Sequence, residues 1–297
     1  MSREQLDVIV GMMRGGGGVD LDQPAAAARK QFEDMLAGLP PPEGVSFEPV
    51  DAGGVPGLWA GAADEGAGRT LLYLHGGGYV IGDAWNYRSL WSALAKAGGA
   101  RGLGLDYRLA PEHPFPAAVE DAVAAYRWLL DQGHAPGQIV LAGDSAGGGL
   151  VVAALVQARR QGLPMPAGAL VISPWVDLGM TGGSITAKAA QDPSLTLAGL
   201  ANCARQYLVG TSADQALASP MHADLAGLPP LLIQVGSAEI LLDDAVRLAG
   251  VAGAAGVRTR LEIWPGMPHV WHAFAFMLDE GAEATREAGA FLKACLA

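Results

Sequence analysis

Basic residues are scarce in this chain. Nineteen Lys and Arg stand against thirty Asp and Glu, a formal charge of −11 at pH 7 with a pI near 4.9. A nucleic-acid surface needs a basic patch, and an acidic field repels polyanions and anionic membranes, so no nucleic-acid partner is expected. Cysteine is nearly absent. Cys203 and Cys295 cannot build a disulfide framework and, with six scattered histidines, show no zinc-ligand spacing. Both are read as free thiols, and no metal is expected. Long apolar runs are missing as well: the richest, residues 150–156, is stopped by Gln157, Arg159 and Arg160, well short of the ~18 residues of a membrane span. At the N-terminus, Asp7 interrupts the apolar stretch around residues 8–10 and Arg14 follows it, which makes a poor signal peptide. A soluble, reducing, cytoplasmic setting is therefore the expectation.

What is present is a chain of 297 residues, 51% apolar and 16% charged, too apolar for disorder. Residues 1–44 stand apart: Gly15 to Gly18 is low in complexity, 24–39 reads as a helix opened by Pro24, and Pro40, Pro41 and Pro42 end it. From residue 45 onward, short apolar runs alternate with helix-length stretches. The strand candidates are 45–50, 71–74, 102–105, 139–142, 170–173, 231–235 and 259–263; the helix candidates are 86–97, 117–132, 146–161, 241–255 and 283–295. That alternation predicts an α/β fold with a mostly parallel sheet and helices on both faces. Residues 178–228 break the rhythm and read as an insertion, either a substrate-shaping cap or a structural excursion. The domain reading is thus a core of 45–177 and 229–297, with 1–44 and 178–228 added to it.

The strongest local signal is Gly143-Asp144-Ser145-Ala146-Gly147, between a strand candidate and a helix candidate. That context is what a nucleophile elbow requires. The turn lifts Ser145 above the sheet and brings the flanking positions together, so only small residues fit at 143 and 147. The helix that follows offers amides and a dipole to negative charge. The second signal is His75-Gly76-Gly77-Gly78, directly after another strand candidate. Glycines let backbone N–H groups approach a developing oxyanion. A phosphate cradle is disfavoured, since no Lys-Ser or Lys-Thr follows and G-x-G-x-x-G spacing is absent. His75 precedes the nucleophile and reads as a loop anchor.

The elbow together with His-Gly-Gly-Gly about seventy residues upstream resembles the hormone-sensitive-lipase-like (family IV) bacterial carboxylesterases of the α/β-hydrolase fold. The segment 106–118, Asp-Tyr-Arg-Leu-Ala-Pro-Glu-His-Pro-Phe-Pro-Ala-Ala, is similar to that family's stretch between oxyanion loop and nucleophile. Without the family, its prolines make a rigid connector in which Asp106 and Glu112 are structural. The fold orders its triad Ser, acid, His. Of the late histidines, His269 follows Pro268 and matches the family's base, and His272 is read as structural. Three carboxylates, Glu239, Asp243 and Asp244, follow the strand candidate 231–235. The family pattern puts Glu239 at the acid, where most relatives carry Asp; Asp243 is the runner-up and is expected to cap the next helix. The resemblance implies catalytic Ser145, Glu239 and His269, and an oxyanion hole of Gly77, Gly78 and Ala146 with Gly76 a further candidate. No cofactor is implied.

By resemblance, 1–44 and 178–228 correspond to the family's cap, with Met12, Met13, Leu200, Cys203 and Tyr207 as candidate pocket residues beside an equally open reading as helix packing. The implied partner is a small ester with a short-to-medium acyl chain. Lactone or amide hydrolysis by the same triad stays open, and a non-catalytic ligand receptor is disfavoured by the retained triad. Relatives often dimerise through a sheet edge, which makes 259–263 the candidate homodimer contact.

Overall fold

The computed structural model describes residues 2–17, 19–61 and 68–297; Gly18, the last of the glycine run, lies outside the described residues. Its centre is an eight-stranded sheet in the order β1-β2-β4-β3-β5-β6-β7-β8. The strands are β1 (Phe47–Asp51), β2 (Pro56–Ala60), β3 (Thr70–Leu74), β4 (Arg101–Leu105), β5 (Ile139–Asp144), β6 (Gly168–Ile172), β7 (Leu231–Gly236) and β8 (Thr259–Trp264). β2 runs antiparallel to both of its neighbours, β1 and β4, and the six strands β4-β3-β5-β6-β7-β8 are parallel to one another. The mostly parallel α/β architecture expected from the sequence is therefore present.

Every residue of β3, β5, β6 and β7 is buried, as continuous apolar strands require when both faces are covered. The covering helices are α3 (Arg88–Gly98), α4 (Ala117–Asp131), α5 (Ser145–Arg160), α8 (Leu242–Ala254) and α9 (Asp279–Cys295), with α3 packed on α9 and α4 on α5. Gly102 and Gly104 on β4 leave room for the Trp91 indole of α3; a Cβ at Gly104 would lie 2.7 Å from that ring. β2 is the strand that periodicity does not reveal. It starts at Pro56, carries Gly57 and is preceded by Gly53 and Gly54, all turn signals. The glycine is there because a Cβ at 57 would stand 2.7 Å from Gly104 O of the paired strand.

Among the described residues, four further helices lie outside this core pattern. α1 (Arg3–Met12) forms where the sequence suggested only an apolar patch, and α2 (Ala25–Leu36) occupies the expected N-terminal helix. α1 inserts Ile9 into a small apolar cluster with Met267 and Trp271, so the first helix packs on the loop after β8. In the interval 178–228 a single turn, α6 (Ser184–Ala187), precedes α7 (Leu197–Leu208), whose N-cap Thr196 accepts the Gly199 amide. Among the described residues no helix is long and apolar enough to cross a membrane.

Candidate active site

Ser145 opens α5 immediately after β5 and has φ +54°, a left-handed conformation for a residue with a side chain. The sharp reversal is possible because its flanks are glycines. A Cβ at Gly143 would lie 2.6 Å from Leu74 O, and one at Gly147 would collide with the carbonyl oxygens of Leu74 and His75. The elbow is therefore wedged against the end of β3, which is where the His75-Gly76-Gly77-Gly78 loop begins.

That loop is fastened by Asp144. Its Oδ1 accepts the Tyr73 hydroxyl at 2.6 Å and the Gly76 amide at 3.0 Å. Burial pushes the Asp144 carboxyl up to about 6, against those hydrogen bonds and the nearby His269. The Gly76 amide is committed to Asp144, whereas the amides of Gly77, Gly78 and Ala146 have no acceptor among the described residues. Gly77 and Gly78 both have positive φ, +105° and +62°, the backbone freedom that glycine supplies. His75 is buried, stacks on Tyr107 with centroids 4.3 Å apart, and meets the Gly76 carbonyl at 2.7 Å. Burial drives its imidazole down to about 4, consistent with a neutral anchor.

From the other side, the turn after β7 carries Glu239 and the turn after β8 carries His269. His269 Nδ1 lies 2.7 Å from Glu239 Oε2. Glu239 Oε1 accepts the Ser173 hydroxyl at 2.8 Å and the Gly236 amide at 2.7 Å, and the residue is completely buried. Burial opposes a charge on His269, but the Glu239 carboxylate and its hydrogen bond, helped by Asp192 and Asp144, raise its proton affinity above the ordinary imidazole value. Asp243 faces elsewhere: its carboxylate accepts the Ser184 amide at 2.9 Å. Asp244 accepts the Val176 and Asp177 amides at 2.9 Å each, and burial lifts its carboxyl to about 7. His272 sits in a short 3-10 turn with Nε2 2.9 Å from Gln234 Oε1, and burial takes it down to about 3.

Ser145, His269, Gly77 and Gly78 line one cavity of about 970 Å³. Its walls are mostly apolar, with Leu21, Phe32 and Leu36 from the N-terminal segment and Leu195 from the interval 178–228. Met12, Met13 and Leu200 line it as well. Cys203 and Tyr207 do not. The Cys203 sulfur packs behind Gly78, where a Cβ would meet it at 2.7 Å, and the Tyr207 ring stacks on Tyr79 with centroids 3.9 Å apart. Sequence reasoning missed Ser173 and Tyr73, because a lone Ser or Tyr at a strand end carries no pattern. Asp106 and Glu112 serve structure as expected: Asp106 accepts the Ala84 amide and Glu112 pairs with Arg29 at 2.6 Å.

Residues 71–273 match the model of the alpha/beta hydrolase fold family. The chain belongs to that family. Within it, this α/β hydrolase is 48% identical to an esterase from the bacterial hormone-sensitive lipase family, whose crystal structure superposes with a TM-score of 0.95 and 99% of each chain covered. A second neighbour, EstE5 soaked with p-nitrophenyl butyrate, gives 46% identity, a TM-score of 0.93 and 98% coverage of both chains. Among curated proteins, an acetyl-hydrolase of Streptomyces hygroscopicus is 50% identical over 91% of this hydrolase and 89% of the relative. An esterase of Acinetobacter venetianus is 32% identical over 89% and 88%. The hydrolase is thus a member of the bacterial hormone-sensitive-lipase-like esterases.

Proposed function

We propose that this carboxylic ester hydrolase cleaves short-to-medium acyl esters through a Ser145-His269-Glu239 triad and an acyl-enzyme. The observation that carries the reading is the 2.7 Å contact between His269 Nδ1 and the buried Glu239 carboxylate, made at the wall of the cavity that also exposes Ser145. With Nδ1 held by Glu239, Nε2 is the nitrogen that takes the Ser145 hydroxyl proton as Oγ bonds to the ester carbonyl carbon. The carbonyl π-electrons move onto oxygen, and that oxyanion accepts from the amides of Gly77, Gly78 and Ala146. Collapse breaks the C–O bond to the alcohol, which leaves with the proton from His269. Water then gives a proton to His269 as its oxygen bonds to the acyl carbon; collapse breaks the bond to Ser145 Oγ, which takes that proton back from His269, and the carboxylic acid leaves. Gly76 shapes the loop through Asp144 instead of donating.

Residues 1–44 and 178–228 are read as two parts of a cap, supported by their shared lining of the cavity. The mostly apolar walls of the cavity support an acyl chain as the group bound there. The exposed edge of β8, where Ile263 is 46% accessible, is the proposed homodimer contact; light scattering at micromolar concentration should give twice the chain mass, and a monomer would sink that part.

The test is stopped-flow hydrolysis of p-nitrophenyl butyrate. Ser145→Ala should abolish both the acylation burst and turnover, and Glu239→Ala should retain only a small residual rate. A Ser145→Ala variant as fast as the parent overturns the triad.

A further inference from the structure

Asp192 lies in the turn between α6 and α7 and is only 9% exposed. One carboxylate oxygen serves its own turn, with Oδ1 accepting the Ser194 and Leu195 amides at 2.9 Å each and the Ser194 hydroxyl at 3.1 Å. The other leaves the turn. Oδ2 accepts the Ile240 amide at 2.8 Å, across 48 residues of sequence. Ile240 is the residue after Glu239, and Ser194 and Leu195 are part of the cavity wall. The Ile240 carbonyl is held by the same segment, through the Ser184 hydroxyl at 2.6 Å. The inserted segment therefore grips both backbone groups of the residue that follows Glu239.

We infer that Asp192 is a positioning residue for ester hydrolysis, its carboxylate fixing the Glu239 turn to the cavity wall so that the acid meets His269 in register. The inference rests on the reading of Glu239 as the triad acid. A turn of this kind needs one acceptor oxygen, which an Asn or Ser supplies as well. Burying a full carboxylate is costly unless several donors surround it, and here three amides and a hydroxyl do so. The second oxygen is what the Glu239 turn requires. The charge also reaches His269: the groups that face that imidazole are Glu239 from the β7 turn, Asp192 from the inserted segment and Asp144 from the elbow, each favouring its protonated form against burial.

The experiment is a double-mutant cycle on the full chain with p-nitrophenyl butyrate. Asp192→Asn turns one acceptor into an N–H donor that opposes an amide. In the parent background it should lower kcat by ~10-fold, as a small misplacement of a catalytic group does, and it should move the acid limb of kcat/KM to lower pH by removing one anion. In a Glu239→Gln background the kcat loss should shrink to about twofold or less, because there is no acid left to position. Parent-like kcat in Asp192→Asn, or an undiminished loss in the Glu239→Gln background, overturns the inference. Failure of the triad reading shows separately, as a Glu239→Gln single variant with parent activity. Should Asp192→Asn not fold, Asp192→Glu carries the test: the charge is kept and the limb should stay, while kcat falls. An unchanged kcat, or a limb that moves with the charge retained, rejects the role.

Discussion

The Ser173 hydroxyl donates to Glu239 Oε1 at 2.8 Å, on the oxygen opposite the one that meets His269. Ser173 Oγ also accepts the Val270 amide at 3.2 Å, so one hydroxyl ties the acid to the loop that carries the base. Its backbone is fixed for the task, with φ +47° and its N–H donating to Gln234 O at 2.7 Å. Ser173→Ala leaves the Gly236 amide on Glu239 but loses a hydrogen bond to a charged group, which contributes about 1.5–3 kcal/mol. The expected outcome is a fall of ~10-fold or more in kcat/KM for p-nitrophenyl butyrate, carried by kcat, with the variant still folded by circular dichroism. Unchanged kcat would show that the Gly236 amide suffices.

Glu239 and Asp243 stand four residues apart and separate cleanly by partner. Asp243 binds the Ser184 amide, and its own amide donates to Ser184 Oγ at 2.9 Å; neither contact touches His269. Asp243→Ala should therefore keep kcat/KM within about twofold while lowering the melting temperature, since a lost cap-like contact costs about 1 kcal/mol. Glu239→Ala should lose on the order of 10²–10⁴ in kcat through misorientation of the imidazole. Steady-state kinetics on the two variants side by side decides it, and the reverse ranking would transfer the acid to Asp243.

At Gly147 the constraint is backbone against backbone. A methyl there would collide with the carbonyl oxygens of Leu74 and His75, neither of which is the end of a flexible side chain. Gly147→Ala should destabilise by ~3 kcal/mol or more, the upper end of overpacked cores or beyond it, and any folded fraction should be inactive because β3 and the elbow must separate. A urea midpoint close to that of the parent would contradict this packing.

Much of this layout was legible in the sequence because the buried parallel strands are short apolar runs: β3, β5, β6 and β7 fall within or beside the runs at 71–74, 139–142, 170–173 and 231–235. Strand β2 hid behind Pro56 and Gly57, whose role is close approach to Gly104, and α1 hid because its apolar stripe is interrupted by charge. Ser145, with the glycines that let it bend, has a local signature. Ser173 and Asp192 have none. They act on partners 66 and 48 residues away, and no spacing rule in one sequence reports a hydrogen bond that the tertiary fold alone creates.

The pH profile follows from the competition at His269. Burial, the largest single influence, lowers its proton affinity, but the Glu239 carboxylate and its hydrogen bond, with Asp192 and Asp144 behind them, outweigh it and leave the imidazole above its usual 6.5. The base must be neutral in the free enzyme to accept the Ser145 proton, so kcat/KM should rise with pH along an acid limb centred above 6.5. Glu239→Gln removes the main anion and leaves only Asp192 and Asp144 to oppose burial. Its imidazole should lose its proton at lower pH, so the limb of the residual activity should shift to the acid side even as the rate drops. A stopped-flow series from pH 5 to 9 on parent and variant measures both effects. A limb that stays in place in Glu239→Gln would mean that the raised proton affinity comes from Asp144 and Asp192 and that Glu239 acts on His269 by orientation alone.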